Sequence, residues 1–481
     1  MRFSQLFIQT HRESTGDIEF PGNQFLQRAG YIRQLEKGIF TLFPLANRSL
    51  QKMMNLARQE LSFLSAQEIN IPSFTPSTRE DLPNLLSPFD YPPLTVRDTA
   101  NRNWEVSPSS PQYLADIIQH TVRSHRQLPR LLYQFQSKIL PGKNHQDTLL
   151  SARNITRLEW FQLANTDEQA ESGFENLNKA IQNILTKCRL PVQKINYKNL
   201  LNDDQTIQEM YFLHSKGDNS ILSCPACNYL NNQKNTPTNA SPSNHEEMLS
   251  LEEVHTPGMK TIEELSSFLN IPASKTAKAV FITAIVFENG ELQNKVIIAI
   301  VRGDKDLDEN KLATVIQSRR LRPATEEEIL SLGATPGFAS PIGLKKGLIV
   351  VDNLIKESKN LVAGANKTDF HYKNVNFSRD FDATFIADLS QVKSGDACPH
   401  CGKPLEMMKG FLISSSSSPT PQFSTKANCN FQDESGVARP VLVGYSWLDL
   451  ENVFGGIAET FNDPFGLRLP FHLTPFQVHL I

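Results

Sequence analysis

Four of the six cysteines in this 481-residue chain fall into two matching pairs, Cys224-Pro-Ala-Cys227 and Cys398-Pro-His-Cys401. Each Cys-Pro-x-Cys is a tight knuckle that can point two thiolates at one ion, with the spacing of a zinc ribbon. The pairs are far apart in sequence. One ion shared by all four would therefore draw residues 224 and 401 together and close the neck of everything between them. Redox pairs are the rival reading. Two similar knuckles flanking one stretch favour a structural zinc on Cys224, Cys227, Cys398 and Cys401, while Cys188 and Cys429 read as packed thiols.

The stretch between the knuckles, about 253 to 390, reads as an α/β unit of its own. Ile262, Leu265, Phe268 and Leu269 fall at helical spacing, and the helix must stop before Pro272. Lys275, Thr276 and Lys278 lead into AVFITAIVF, an apolar β-branched run that predicts a buried strand. VIIAIVRG and GLIVVDN predict two more. TEEEILSLGA predicts a short helix opened by a Thr-x-x-Glu capping box. The Gly/Pro loop after it, Gly333 to Pro341, can bring backbone N–H groups close to a ligand.

Lys275-Thr-Ala-Lys278, VRGDKDLDENKL, TEEEI, the Gly333 to Pro341 loop, Asp352, Gly364-Ala365-Asn366 and His371 occur in one order over one domain length. Together they resemble the editing insertion of bacterial-type prolyl-tRNA synthetases, a domain that also occurs alone as a deacylase of mischarged tRNA. The resemblance implies hydrolysis of alanine wrongly esterified to proline tRNA, with selection by pocket size. It implies no catalytic metal: water attacks the ester while backbone N–H groups and the tRNA's ribose hydroxyl assist. By the same resemblance Lys278, His371 and Asp352 are the candidate catalytic residues. Thr276, Gly333, Gly337, Pro341, Gly364, Ala365 and Asn366 are the candidate substrate-binding ones. Read from the residues alone, His371 serves equally well as a structural histidine.

The flanks resemble the rest of that family. FLQRAGYIRQLEKGIFTLFPLANRSLQK, the helical run Leu45 to Phe63 and the strand EINIPSF resemble the start of the catalytic domain, including the class II dimer interface. Beyond Pro76 the resemblance holds in scaffold and departs in chemistry. The substrate loop GPTHEE corresponds to Ser107-Pro-Ser-Ser-Pro111-Gln112, and the FRDE of motif 2 to Ile139-Leu140-Pro141-Gly142. Arg153 keeps its match and Glu159 stands where the family has Asp. The glycine-rich proline-pocket segment corresponds to Leu200 to Asp203, and the motif 3 arginine to Glu451. Cationic groups stabilise charge in adenylyl transfer, so these exchanges imply a core that no longer uses ATP. The chain stops at TPFQVHLI, where the family's anticodon-binding domain would follow, so the usual reader of tRNA identity is expected to be missing and a partner could supply it. Lys234 to Asn244 and Ser414 to Pro421 read as a polar linker and a flexible loop.

Composition sets outer limits. A hydrophobic content of 39% and a charged content of 21% suit a chain with real cores. A formal net charge of −3 excludes a global basic field, so tRNA contact would rely on patches such as Arg319 to Arg322 or Lys345-Lys346. The absence of a long apolar run and of a signal-peptide layout predicts a cytoplasmic protein. The expected fold class is mixed α/β (α+β): a class II synthetase-like core on an antiparallel sheet, interrupted by an α/β aminoacyl-tRNA deacylase domain. The expected boundaries are 1–222 and 391–481 for the core (the latter with the second knuckle), 223–252 for the first knuckle and linker, and 253–390 for the editing domain. Three functions stay open. They are a deacylase on a retired homodimeric synthetase body, a divergent proline–tRNA ligase, and a non-catalytic tRNA-binding scaffold.

Overall fold

The computed structural model describes residues 5–12, 19–76, 94–106, 111–140, 145–199, 202–239, 246–288, 291–316, 318, 320–344 and 347–478. The chain divides into two compact units, residues 1–219 with 409–481, and residues 220–408. No helix among the described residues is long and apolar enough to cross a membrane.

The first unit is built on one sheet. Its strands run, in spatial order, Gln67–Glu68, Arg130–Ile139, Asn154–Ala164, Leu442–Asp449, Glu406–Ser417, Asn202–Leu213 and Gln193–Asn199; all pairs are antiparallel except the first. Helices cover one face. Pro44–Ser62 starts with proline at its first turn, where a missing N–H costs nothing, and buries Leu45, Leu50, Met53, Ala57 and Leu61 at helical spacing. Asp167–Lys187 is capped by Thr166 and buries Leu177, Ile181, Ile184 and Leu185. Leu450–Thr460 packs against Pro44–Ser62 and is buried on every side over its first turns. The helix Pro21–Arg28 crosses it so closely that a Cβ on Gly22 would stand 2.4 Å from the Ala458 carbonyl carbon. The other face packs Phe161, Leu163, Val443, Tyr445 and Trp447 against the helices Pro111–Thr121 and Gln422–Ala427.

That second face also carries charge. Arg157 and Asp449 are 1% and 2% exposed and meet through two hydrogen bonds of 2.6 and 2.7 Å, with Trp447 stacked 4.1 Å from the guanidinium. Beside them Glu159 takes Gln134 Nε2 at 2.6 Å, Tyr445 OH at 2.5 Å and Lys138 Nζ at 3.1 Å. Burial pulls the Lys138 amine below the ordinary lysine value even with Glu159 in contact.

Three expectations need correction. The strand over EINIPSF is broken into Gln67–Glu68 and Phe74–Pro76. At the break the amide side chains of Gln134 and Gln136 take the backbone N–H and C=O of Ile71, in place of a neighbouring strand. The serine run is not a loop: Ser414 to Ser417 end the strand Glu406–Ser417 and are buried. The hydroxyls of Ser414 and Ser417 donate to the carbonyls of Trp447 and Tyr445, which a polar composition conceals. The polar linker is likewise partly inside, since Thr236 and Thr238 are bonded within the second unit while residues 240–244 lie outside the described ones.

The second unit pairs two sheets. One has five strands in the order Arg320–Pro323, Ala277–Glu288, Glu291–Arg302, Leu348–Asp352 and Phe385–Ala387, with the last three joined in parallel. The other has three, Glu252–His255, Phe370–Val375 and Leu361–Gly364. Alternation along the strands decides what lies where. Ala277, Ile298, Ile300 and Val351 pack toward Leu361, Ala363 and Val375 of the smaller sheet. Ile282, Ala299, Val301 and Val350 pack the other way, against Leu312, Ile316 and Leu389. The helix Ile262–Leu269 closes at Asn270 in a left-handed conformation, before Pro272.

The buried ion pair makes a stability prediction. Asp449→Ala strands a guanidinium without water and should cost about 3–5 kcal/mol. In urea the unfolding midpoint should fall sharply, and the double change Arg157→Met with Asp449→Leu should recover most of the loss.

Candidate functional site

Asn366 organises the loop that the sequence marked for backbone donors. It sits in a left-handed conformation (φ 54°) after the strand Leu361–Gly364. Its N–H donates to Phe338 O at 2.8 Å; its Oδ1 accepts from Ser340 N at 3.0 Å; its Nδ2 donates to Ser340 O and Ile342 O at 3.1 and 2.9 Å. Thr335 Oγ1 returns a bond to Asn366 O. One residue thus fixes both ends of the 338–342 turn, its backbone N–H at Phe338 and its side chain at Ser340 and Ile342. Gly364 permits it, because a Cβ there would stand 2.2 Å from Phe338 O. Gly333 and Gly337 both take φ near +83°, which few other residues tolerate, and Pro341 is buried. Ala365, half-buried, bonds back to Phe370 O.

His371 stands next to this loop. It pairs with Gly364 on one side and Val254 on the other. Its ring is 5% exposed, meets Phe338 edge-on at 5.7 Å, and shares a 2.6 Å hydrogen bond from Nδ1 with Thr256 Oγ1. Burial lowers its pKa, so the imidazole is neutral at pH 7.

Lys278 and Asp352 lie elsewhere. Lys278 pairs with Val301, and the parallel register carries Val301 on to Asp352. The two therefore share one face, two strands apart, with backbones separated by about 10 Å. It is the face of Val301 and Val350, opposite to the one packed on the smaller sheet. Lys278 Nζ reaches Asp306 at 3.1 Å and keeps 30% exposure. Asp352 is closed off: its carboxylate accepts from Leu354 N, Leu389 N and Ser390 Oγ at 2.8, 2.7 and 3.0 Å. Burial raises its pKa against the pull of those donors. Thr276 is buried, its hydroxyl bonded to Ala273 O. So the structure gathers Gly364, Ala365, Asn366, His371 and the glycine loop in one place, Lys278 and Asp352 in another.

Three contributors escaped the sequence reading. Thr256 and Phe338 frame His371. Lys311 is 3% exposed, with Thr236 O, Ser390 O and Asp388 Oδ2 all at 2.9 Å from its ammonium. Asp388 also takes the N–H and hydroxyl of Thr238. A lysine inside DENKL reads as solvated surface, and nothing local marks it as buried.

The four knuckle cysteines converge. Their sulfurs lie within 4.8 Å of one another, with Cys224 to Cys401 at 3.5 Å and Cys227 to Cys398 at 3.7 Å. A tetrahedral ion with bonds of about 2.3 Å needs sulfurs about 3.8 Å apart, so the four could hold a metal ion. Each knuckle turns on a left-handed residue after its second cysteine, Asn228 and Gly402. Leu222, Val392 and Leu405 pack behind them.

In the first unit, Ser107 to Ser110, Pro141, Gly142, Leu200 and Leu201 lie outside the described residues, as do Arg319, Lys345 and Lys346. Leu140 packs against the core, and Glu451 is 3% exposed, accepting from Thr156 N at 2.5 Å and Thr156 Oγ1 at 3.0 Å.

Residues 256–381 match the aminoacyl-tRNA editing domain family. Across its full length the chain is 32% identical to a proline–tRNA ligase of Dehalococcoides mccartyi strain 195, covering 83% of that protein. Identity is 30% to those of Thermoanaerobacter sp. strain X514 and Aquifex aeolicus, with 84% of each covered. The chain belongs to the bacterial-type prolyl-tRNA synthetase family. It is a class II synthetase fold with an editing domain. A solved prolyl-tRNA synthetase of Cryptosporidium parvum, complexed with halofuginone and AMPPNP, aligns with 96% of this chain at 11% identity and a TM-score of 0.49. The chain spans 58% of that protein's length.

Glu451 gives this synthetase-family core a pH signature. Burial lifts its carboxyl from 4.5 to about 7. A carboxyl with a raised folded-state pKa binds its proton more tightly in the fold, so its contribution is complete below pH 4.5 and lost as pH rises to 7. Glu451→Gln should therefore gain stability over the parent progressively across that window, reaching about 2–4 kcal/mol above pH 7, and urea titrations at several pH values measure it.

Proposed function

We propose that this chain is an aminoacyl-tRNA deacylase, hydrolysing alanine or a similarly small residue from proline tRNA, with its editing domain at 253–390. The observation that carries the reading is the pinned 338–342 turn beside a buried, neutral His371. A turn whose path is fixed by Asn366 does not reorganise when charge develops on an ester carbonyl beside it, which is the condition for stabilising that charge with fixed dipoles. His371, Thr256 and Phe338 are packed behind the turn, where they would limit the depth open to a substrate side chain, admitting a small one and crowding a larger ring. Water adds to the ester carbon, the ribose oxygen leaves with a proton, and the free amino acid departs. Lys278 supplies a cation with solvent access, suited to a terminal phosphate of the tRNA. Asp352, with every contact inward, holds the strand end rather than touching substrate.

The whole-length identity to proline–tRNA ligases favours a second reading, ATP-dependent charging of proline. Against it, the face with Arg157, Asp449, Lys138 and Glu159 neutralises its own charges, and Glu451 is spent on Thr156. We also assign zinc to Cys224, Cys227, Cys398 and Cys401 as a structural ion whose thiolates clip the two ends of the second unit.

Ala-tRNA should be hydrolysed without ATP. Lys278→Ala should slow the reaction about ten- to a thousand-fold, since a charge-assisted contact is worth roughly 1.5–3 kcal/mol. Wild-type protein that leaves Ala-tRNA intact overturns the reading. Elemental analysis should find about one zinc per chain, and Cys398→Ser should lose it. Unchanged zinc in that variant would refute the assignment.

A further inference from the structure

Lys278 is held by a carboxylate that a second lysine shares. Asp306 Oδ1 accepts from Lys278 Nζ at 3.1 Å, while its Oδ2 accepts from Lys393 Nζ at 2.6 Å. Both lysines pull the Asp306 carboxyl below its ordinary value, Lys393 first. Lys393 belongs to the segment that enters the second cysteine knuckle. Its N–H donates to Asp396 Oδ2 at 2.8 Å, and Asp396 Oδ1 takes Lys305 Nζ at 2.6 Å. Gln391 N donates to Asp306 O at 2.8 Å, so Asp306 is anchored to that same segment.

The three side chains are 30%, 55% and 53% exposed for Lys278, Asp306 and Lys393. Ion pairs this open are weak and exchangeable, so an arriving phosphate can take Lys278 from Asp306. The exchange has a consequence for Asp306. With no other cation in contact, its charge would stand beside the incoming anion and repel it. With Lys393 in contact, the carboxylate stays neutralised and stays where it is.

We infer that Lys393 is a positioning residue for the hydrolysis proposed above. It retains Asp306 when Lys278 turns to the anionic 3′ end of the substrate. This rests on the deacylase reading, and it assigns Lys393 a role that acts through Asp306 rather than on the substrate. The affected quantity is therefore substrate binding, not the chemical step.

Steady-state hydrolysis of Ala-tRNA by the full chain tests it, with Lys393→Ala, Lys393→Arg, Asp306→Asn and the double variant Lys393→Ala with Asp306→Asn. Lys393→Ala should raise KM about three- to tenfold and leave kcat within about twofold, the size expected of a lost exposed charge contact. Lys393→Arg should keep the wild-type KM. In the Asp306→Asn background the same Lys393→Ala change should have no effect, because there is no carboxylate left to retain. An unchanged KM in Lys393→Ala overturns the inference. So does an equal rise in the Asp306→Asn background, which would place Lys393 on the substrate itself. Absence of hydrolysis by the wild type would fell the deacylase reading and this inference with it. Hydrolysis whose KM ignores Lys393 would fell the inference alone.

Discussion

An ammonium group buried away from water must be surrounded by oxygen, and the second unit depends on how Lys311 meets that demand. Its three acceptors come from both ends of the unit: Thr236 O before the first strands of the editing domain, Asp388 and Ser390 O after the last. Asp352 reaches the same strap through Leu389 N and Ser390 Oγ. Removing the lysine would leave Asp388 and two carbonyls short of a donor together. The cysteine cluster repeats the closure a few residues outward, where Asn239 Nδ2 donates to Cys398 O. Both devices oblige the two ends of one long insertion to meet. Asp352 is tied to that junction through Leu389 and Ser390, and Lys278 through Asp306, whose carbonyl accepts from Gln391 N.

The first unit solves a different problem. A sheet face that carries Arg157, Lys138, Glu159 and Asp449 would be costly if left bare and buried. Here each charge is answered by a neighbour, down to the indole of Trp447 against the guanidinium. A face meant to receive a triphosphate keeps cations unspent until the ligand arrives. This one has spent them. Among the described residues of this face, Arg157 and Lys138 are paired with Asp449 and Glu159.

Much of this was legible in the sequence, and the failures share a cause. Strands from AVFITAIVF, VIIAIVRG and GLIVVDN follow from apolar runs, and the helix after Thr325 from its capping box. The cysteine cluster followed from spacing alone, whereas Gly364 and Asn366 were singled out by resemblance, and the bare backbone and left-handed conformation they supply are visible only in the fold. What stayed hidden were polar residues used as core. Lys311, Thr236 and Ser414 to Ser417 have the composition of solvent-facing chain, and only partners distant in sequence bury them. The same applies to the pairing of Lys278 with Asp306 and Lys393, since 306 and 393 are neighbours only once the neck is closed. Motif order grouped Lys278 with His371, whereas strand alternation puts Lys278 on the face away from the smaller sheet.

The most direct test compares two activities of one preparation of the wild-type chain: release of alanine from Ala-tRNA without nucleotide, and proline-dependent exchange of pyrophosphate into ATP. A pinned turn beside a neutral His371, with a core whose charges are already paired, predicts alanine release and no exchange. Robust exchange with proline, accompanied by intact Ala-tRNA, would contradict it.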